Sequence, residues 1–313
     1  MANEAGRQSS SVGDPRDPEE LEAAGITDPA TISPSTTVGP VHLTVSQIER
    51  SLDYYRAAVG LDLFERDTRR ASLGAGGGEL LVLVEEPGAR PAVGCTGLYH
   101  FALLVPQRRD LARWLAHAGQ ARVPLVGLSD HFVSEAIYLS DPDGHGIEIY
   151  WDRPREVWEG QVAARMTTIP LDVNGLLGEL DKTPPEPFEG LPAGTVMGHV
   201  HLKVANVASS VAFYRSGLGF ALMAQLGAQA AFLSAGGYHH HLGANTWESA
   251  GAPPPPPASA ALRRWTLVLP DGAERQRVVS RLAGAGYGPN RENDDEILFA
   301  DPSGNVVALV AAA

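Results

Sequence analysis

Apolar and polar residues alternate through Val41-His42-Leu43-Thr44-Val45, a period of two that predicts a β-strand. From Ile48 to Arg56 the apolar and aromatic positions move to helical spacing, and the helix is expected to stop before Gly60. Short extended runs follow (LDLFER, RRASLG and ELLVLVE), each bounded by glycine or charge, and complete a β-α-β-β-β unit. The unit recurs. VHLTVSQIERSLDYYRAAVGLDLF at 41–64 returns as VHLKVANVASSVAFYRSGLGFALM at 200–223, a constant offset of 159 that points to duplication. LSDPDGHGIEIY at 139–150 likewise returns as FADPSGNVVALV at 299–310, keeping its Asp-Pro-x-Gly turn. Two further strand-helix starts, at 98–105 before RRDLARWLAHAG and at 265–269 before ERQRVVSRLAGAG, bring the count to four βαβββ modules in an α+β chain.

These modules divide the 313 residues. Residues 1–37 are polar and carry scattered proline and serine, so they are expected to form a disordered arm. Modules 1 and 2 occupy 38–153 and modules 3 and 4 occupy 197–313, each pair forming one expected domain. The proline-bearing, non-alternating stretch 154–196 is the linker between them. Five consecutive prolines after Ala252 predict a stiff surface connection without a catalytic part.

Composition narrows the function classes. Hydrophobic residues at 44% and charged residues at 19% describe a globular chain with a real core. A net charge of −13 would repel phosphate backbones, which argues against a nucleic-acid partner. The single cysteine, Cys95, cannot form an internal disulfide, so the cytoplasm is the expected compartment. No apolar run approaches the ~18 residues of a membrane span, and no signal peptide is visible.

Strand parity then sorts the candidate chemistry, because alternate residues face opposite sides. His42 and Thr44 lie opposite Val41, Leu43 and Val45; His100 and Ala102 lie opposite Phe101 and Leu103; Glu148 and Tyr150 lie opposite Ile147 and Ile149. Each module thus packs an apolar face under its helix and offers polar groups on the other. Two imidazoles and one carboxylate on such a surface, His42, His100 and Glu148, make a facial triad suited to a divalent metal with positions left open. By the same parity His199, His201 and Lys203 share a face, as do His239, His241 and Asn245.

Four βαβββ modules with first-strand histidines, closed by DPDGHGIEIY and its glutamate, resemble the vicinal oxygen chelate superfamily of glyoxalases and type I extradiol dioxygenases. LYHFA at 98–102, SDHFVSEAIY at 129–138 and GGYHHHLG at 236–243 are similar to its catechol-2,3-dioxygenase-like two-domain group, and the resemblance covers about 41–313. It implies two glyoxalase-like domains and an extradiol dioxygenase: an oxidoreductase of aromatic catabolism that binds Fe(II), takes a catechol-type aromatic diol and dioxygen, and opens the ring outside the two hydroxyls. Manganese, nickel or zinc is the alternative metal. It also implies that Tyr138, ten residues before Glu148, holds a substrate oxygen and that His131 moves protons. Asp141 and Arg153 orient the site or hold turns. Trp265 and Ala308 stand where a second histidine and glutamate would be needed in the C-terminal half, so no complete site is expected there. Modules in this superfamily also pair across the chain. Pairing the second with the third would join His100 and Glu148 to His201 and His241 instead of His42. A glyoxalase-type metal-dependent isomerase or lyase and a non-enzymatic drug-binding protein are the competing readings. No membrane partner is expected, and a homo-oligomer is compatible with the sequence.

Overall fold

The computed structural model describes residues 30–182, 187–293 and 295–312. The first 29 residues of the expected arm lie outside these. Its last residues are packed: Thr31 and Ile32 donate their amides to the Gly219 carbonyl, and Ile32 and Thr36 are buried.

All four modules form where the sequence pattern puts them. Module 1 runs from strand Thr37–Val45 through helix Ile48–Tyr54 to strands Asp62–Arg66, Arg70–Ala75 and Gly78–Glu85. Module 2 is strand Gly97–Leu104, helix Arg108–Ala121 and strands Gly127–Asp130, Ser134–Ser140 and Gly146–Asp152. Module 3 is strand Val196–Lys203, helix Val207–Val211 and strands Ala221–Leu226, Ala230–Ser234 and Leu242–Asn245; module 4 is strand Leu262–Leu269, helix Gly272–Gly284 and strands Arg291–Glu292, Glu296–Ala300 and Val306–Ala311. Local chemistry explains the helix ends. Gln107 and Asp110 close a reciprocal capping box at Arg108, and Asp271 accepts from the Glu274 amide. In modules 1 and 3 the helices widen into π turns that end on left-handed Gly60 and Gly219.

The modules do not pair in sequence order. The first strand of module 1 runs antiparallel to the first strand of module 4 in an eight-stranded sheet. The first strand of module 2 runs antiparallel to that of module 3 in a nine-stranded sheet. Each sheet therefore takes one module from each half of the chain. The expected spans 38–153 and 197–313 are repeats in sequence, and neither builds a sheet of its own. A shared core joins the two sheets: Val41, Leu43, Phe101, Val200 and Trp265 belong to one cluster with Leu111 and Trp114 of one helix and Leu282 of another. Fully burying a side chain such as Phe101 stabilises the fold by about 1.5–3 kcal/mol. Buried hydroxyls fasten the helices to the repeated turns. Tyr55 donates to Asp141 at 2.9 Å, and its duplicate Tyr214 donates to Asp301 at 2.8 Å.

The linker folds into short helices, among them Arg155–Trp158 and Val162–Arg165, and a two-residue strand, Ile169–Pro170, that extends the nine-stranded sheet. Among the described residues no helix is long and apolar enough to cross a membrane.

Candidate metal centre

Three neighbouring strands of the nine-stranded sheet assemble the site. On the middle strand Ala102 lies opposite His199 on one side and beside Glu148 on the other. Because Ala102 carries only a methyl group, the longer side chains flanking it reach towards each other above it. His100, two residues from Ala102 and so on the same face, completes the set. Nε2 of His100 and Nε2 of His199 each lie 3.0 Å from Oε2 of Glu148, and 3.3 Å from one another. All three residues are buried. On the other face of the Glu148 strand, Ile147 and Ile149 pack into the core and fix that strand's orientation.

The donor set fits a metal. An octahedral cation with bonds of about 2.1 Å holds adjacent ligand atoms about 3.0 Å apart, and two imidazoles with one carboxylate are the ligands of the facial triad. Burial raises the pKa of Glu148, but the His199 charge and hydrogen bonds from His100 and His199 overcome it and hold the carboxyl well below its usual range. A buried carboxylate that stays ionised is a ready ligand. Burial keeps His199 below the ordinary imidazole value, despite the opposing pull of Glu148, so the ring is neutral and its Nε2 can exchange the proton it shares with Glu148 for an ion.

The ligand group opens on a small cavity that His131, Tyr138, Met166, His201 and His240 also line. His100, His131 and Tyr138 form its border with a wider cleft that includes Tyr99, Lys203 and Trp247. Nδ1 of His131 lies 2.9 Å from the Thr167 carbonyl, which can only accept, so the ring proton sits on Nδ1. Nε2 of His131, 2.7 Å from the Tyr138 hydroxyl, is then left to accept from it. Ion pairs hold this corner: Arg153 binds both Asp130 and Glu135, and Asp130 accepts the Phe132 amide where the backbone turns through a φ of 67°.

The structure brings together His100, Glu148, His131 and Tyr138 from the sequence-predicted residues and leaves His42 elsewhere. His42 stands in the eight-stranded sheet opposite Arg264, because its strand pairs with module 4 and not with module 2. Burial first, then Arg264, Arg70 and Arg263, bring its pKa down to about 3. His201 is buried at the cavity wall with Nε2 3.0 Å from the Asn245 amide, while His199 takes the place beside Glu148. His241 turns away from the ligand group, accepting from the Ala235 amide and contacting Ser234, and burial lowers its pKa to about 3. Parity misplaced it because residues 235–241 form a turn and the strand starts only at Leu242. His240 lines the cavity instead, with a pKa well below normal through burial and its neighbours His199 and His239. Asp141 serves its turn, accepting from Tyr55 and from the amides of Asp143 and His145. Sequence reasoning put His199 on the polar face with His201 without choosing it as a ligand, and gave no role to His240 or to the linker residues Met166 and Thr167.

A family model described as "Glyoxalase/Bleomycin resistance protein/Dioxygenase superfamily" matches residues 37–149 and 196–309. The chain is 40% identical over 286 residues to a Bacillus subtilis (strain 168) protein named catechol-2,3-dioxygenase, covering 89% of this chain and 99% of that one. Among solved structures, a candidate dioxygenase from Bacillus subtilis subsp. subtilis str. 168 superposes with a TM-score of 0.62 at 14% identity, covering 91% of this chain and 86% of the other. Glyoxalase I from Zea mays gives 0.55 at 17% identity over 88% and 92%. At these identities the two structures show the shared fold.

Proposed function

The chain belongs to the Glyoxalase/Bleomycin resistance protein/Dioxygenase superfamily, and from that premise we propose that it is an extradiol dioxygenase that opens a catechol-type aromatic diol with Fe(II) and dioxygen. One observation carries the reading: two imidazole nitrogens converge on a single buried carboxylate oxygen, at 3.0 Å each, in a cavity that also holds the His131–Tyr138 pair. The name of the Bacillus subtilis relative, 40% identical over nearly its whole length, supports the same class.

His100, His199 and Glu148 would hold the iron. Iron held there would supply the Lewis-acid and redox chemistry that brings a chelating diol and dioxygen to reaction. The protein's own part is binding and proton control. The wide cleft with Tyr99 and Trp247 offers aromatic walls to a flat ring on its way to the ligand group. Tyr138 is placed to hydrogen-bond a substrate oxygen. His131, with its proton fixed on Nδ1 by the Thr167 carbonyl, accepts from Tyr138 and draws that hydroxyl's proton towards itself. The linker's Met166 lines the cavity and belongs to one apolar cluster with Val162.

Anaerobic reconstitution with Fe(II), followed by a catechol and air, tests the proposal. Oxygen uptake equal to the diol consumed, with a yellow ring-opened product, is the expected result. Iron-loaded protein that leaves catechols and oxygen untouched refutes it. The same measurement separates this activity from a glyoxalase-type isomerisation, which consumes no oxygen.

A further inference from the structure

The face of the Glu148 strand that looks into the site carries two more polar residues beyond the ligand, Tyr150 and Asp152. Both belong to a continuous hydrogen-bonded chain that reaches His240. Oδ1 of Asp152 lies 2.8 Å from Nε2 of His239, and Oδ2 accepts from the Tyr238 hydroxyl at 2.8 Å. The Tyr150 and Tyr238 hydroxyls are 2.7 Å apart. Nδ1 of His239 lies 2.8 Å from Nδ1 of His240. His239 is fully buried, and His240 lines the cavity with its ring centroid 4.2 Å from that of His199.

Only one assignment of protons satisfies every link of this chain with neutral rings. A carboxylate accepts and never donates, so His239 must carry its proton on Nε2. A neutral imidazole has one N–H, so Nδ1 of His239 is then a lone pair. Two nitrogens 2.8 Å apart need one proton between them, and that proton must belong to Nδ1 of His240. Nε2 of His240 is left without one. The other branch has the same direction: Tyr238 gives its proton to Asp152 and so receives one from Tyr150.

We propose that Asp152 and His239 are positioning residues that fix the tautomer of His240, so that this ring presents a lone pair and not a proton at Nε2 to the cavity. The inference deepens the dioxygenase reading and rests on it for the identity of the proton donor, a hydroxyl of a bound diol. With Nδ1–H donated to His239, the Nε2 lone pair of His240 is the atom free to accept a hydrogen bond from a hydroxyl of the bound diol. Asp152 keeps 19% of its side chain exposed to solvent.

Nitrogen-15 ring spectra of the full-length chain at mildly alkaline pH read the tautomers directly. The expected result is a protonated Nδ1 and bare Nε2 on His240, and a protonated Nε2 on His239. A protonated Nε2 on His240 overturns the proposal, and this measurement needs no substitution. His239→Leu should turn His240 into a mixture of tautomers and lower kcat with Fe(II) and catechol by about 10–100-fold, the usual cost of losing an orienting partner, while KM changes little. His239→Gln should restore the single tautomer and most of kcat, because its amide can donate to Asp152 and its carbonyl can accept from His240. A Leu variant with wild-type tautomer and wild-type kcat also overturns it. If no variant and no wild-type sample turns over catechol, the dioxygenase reading fails, while the ring spectra still decide the positioning role.

Discussion

Replacing His199 by alanine removes one of the three ligand atoms without touching the fold's apolar core. Loss of a residue that merely orients a ligand costs about 10–100-fold in metal affinity. Loss of a ligand should exceed that, so the expected weakening is at least about 100-fold, or roughly 2.7 kcal/mol. The metal-free protein should suffer as well, because Glu148 keeps only His100 as a partner for its buried oxygen; an unsatisfied buried acceptor costs about 1–3 kcal/mol. Two comparisons give the result its meaning. His42→Ala, in the other sheet, should leave affinity within about 3-fold, a change of less than 1 kcal/mol. His201→Ala, whose ring centroid sits 5.0 Å from that of His100 and whose Nε2 is taken up by Asn245, should cost about 10-fold or less through packing alone. An anaerobic competition titration against a chromophoric chelator, with iron per chain counted by elemental analysis, measures all three. If His201→Ala strips the metal and His199→Ala keeps it, the assignment of ligands is refuted.

Tyr138→Phe deletes the hydroxyl that donates to His131 and should lower kcat on the order of 10², with stability changed by only about 1 kcal/mol; unchanged turnover in a steady-state assay would remove Tyr138 from the mechanism. Gly198→Ala would drive a methyl group into the Tyr150 hydroxyl, so thermal denaturation should show a loss of about 1–3 kcal/mol, and a wild-type melting curve would contradict the described register of these strands. Acid should destabilise the metal-free protein. His42 and His241 have folded pKa values of about 3 against 6.5 unfolded, so between those limits the unfolded chain binds more protons and stability falls as pH falls, by up to about 1.4 kcal/mol per unit for each. Glu148, whose folded pKa is depressed, adds a loss of the same sign below its unfolded value of 4.5. Urea titrations between pH 7 and 4 check this, and stability that stays flat or rises towards acid would count against it.

The modules were legible because duplication writes the same alternation twice at one offset, and because the apolar strand faces it predicts are those found in the core, Ile147 and Ile149 among them. His100, Glu148, His131 and Tyr138 were legible because each can be placed on a face within its own module. His42 was set with them because which first strands lie side by side is decided by packing between modules, and that leaves no mark on local alternation. The alternative pairing of module 2 with module 3 is the one the structure shows, but its register puts His199, not His201, beside Glu148. His199 was hidden more deeply. It shares its face with His201, and only the cross-strand register, shifted by an irregularity between Met197 and His199, puts it opposite Ala102 and within reach of Glu148. The size of Ala102 is the available clue, since a small residue between two long polar ones leaves room for an ion. The part played by Met166 and Thr167 could not be read at all, because the segment they belong to has no periodic pattern to locate it.

The most direct test of the central assignment is a crystal of the iron-loaded protein, grown without oxygen and measured at the iron absorption edge. One anomalous peak bonded to Nε2 of His100, Nε2 of His199 and a carboxylate oxygen of Glu148 is the predicted result. A peak at His42, at the His239–Asp152 pair or at His201, or no peak in protein shown to contain iron, would contradict it.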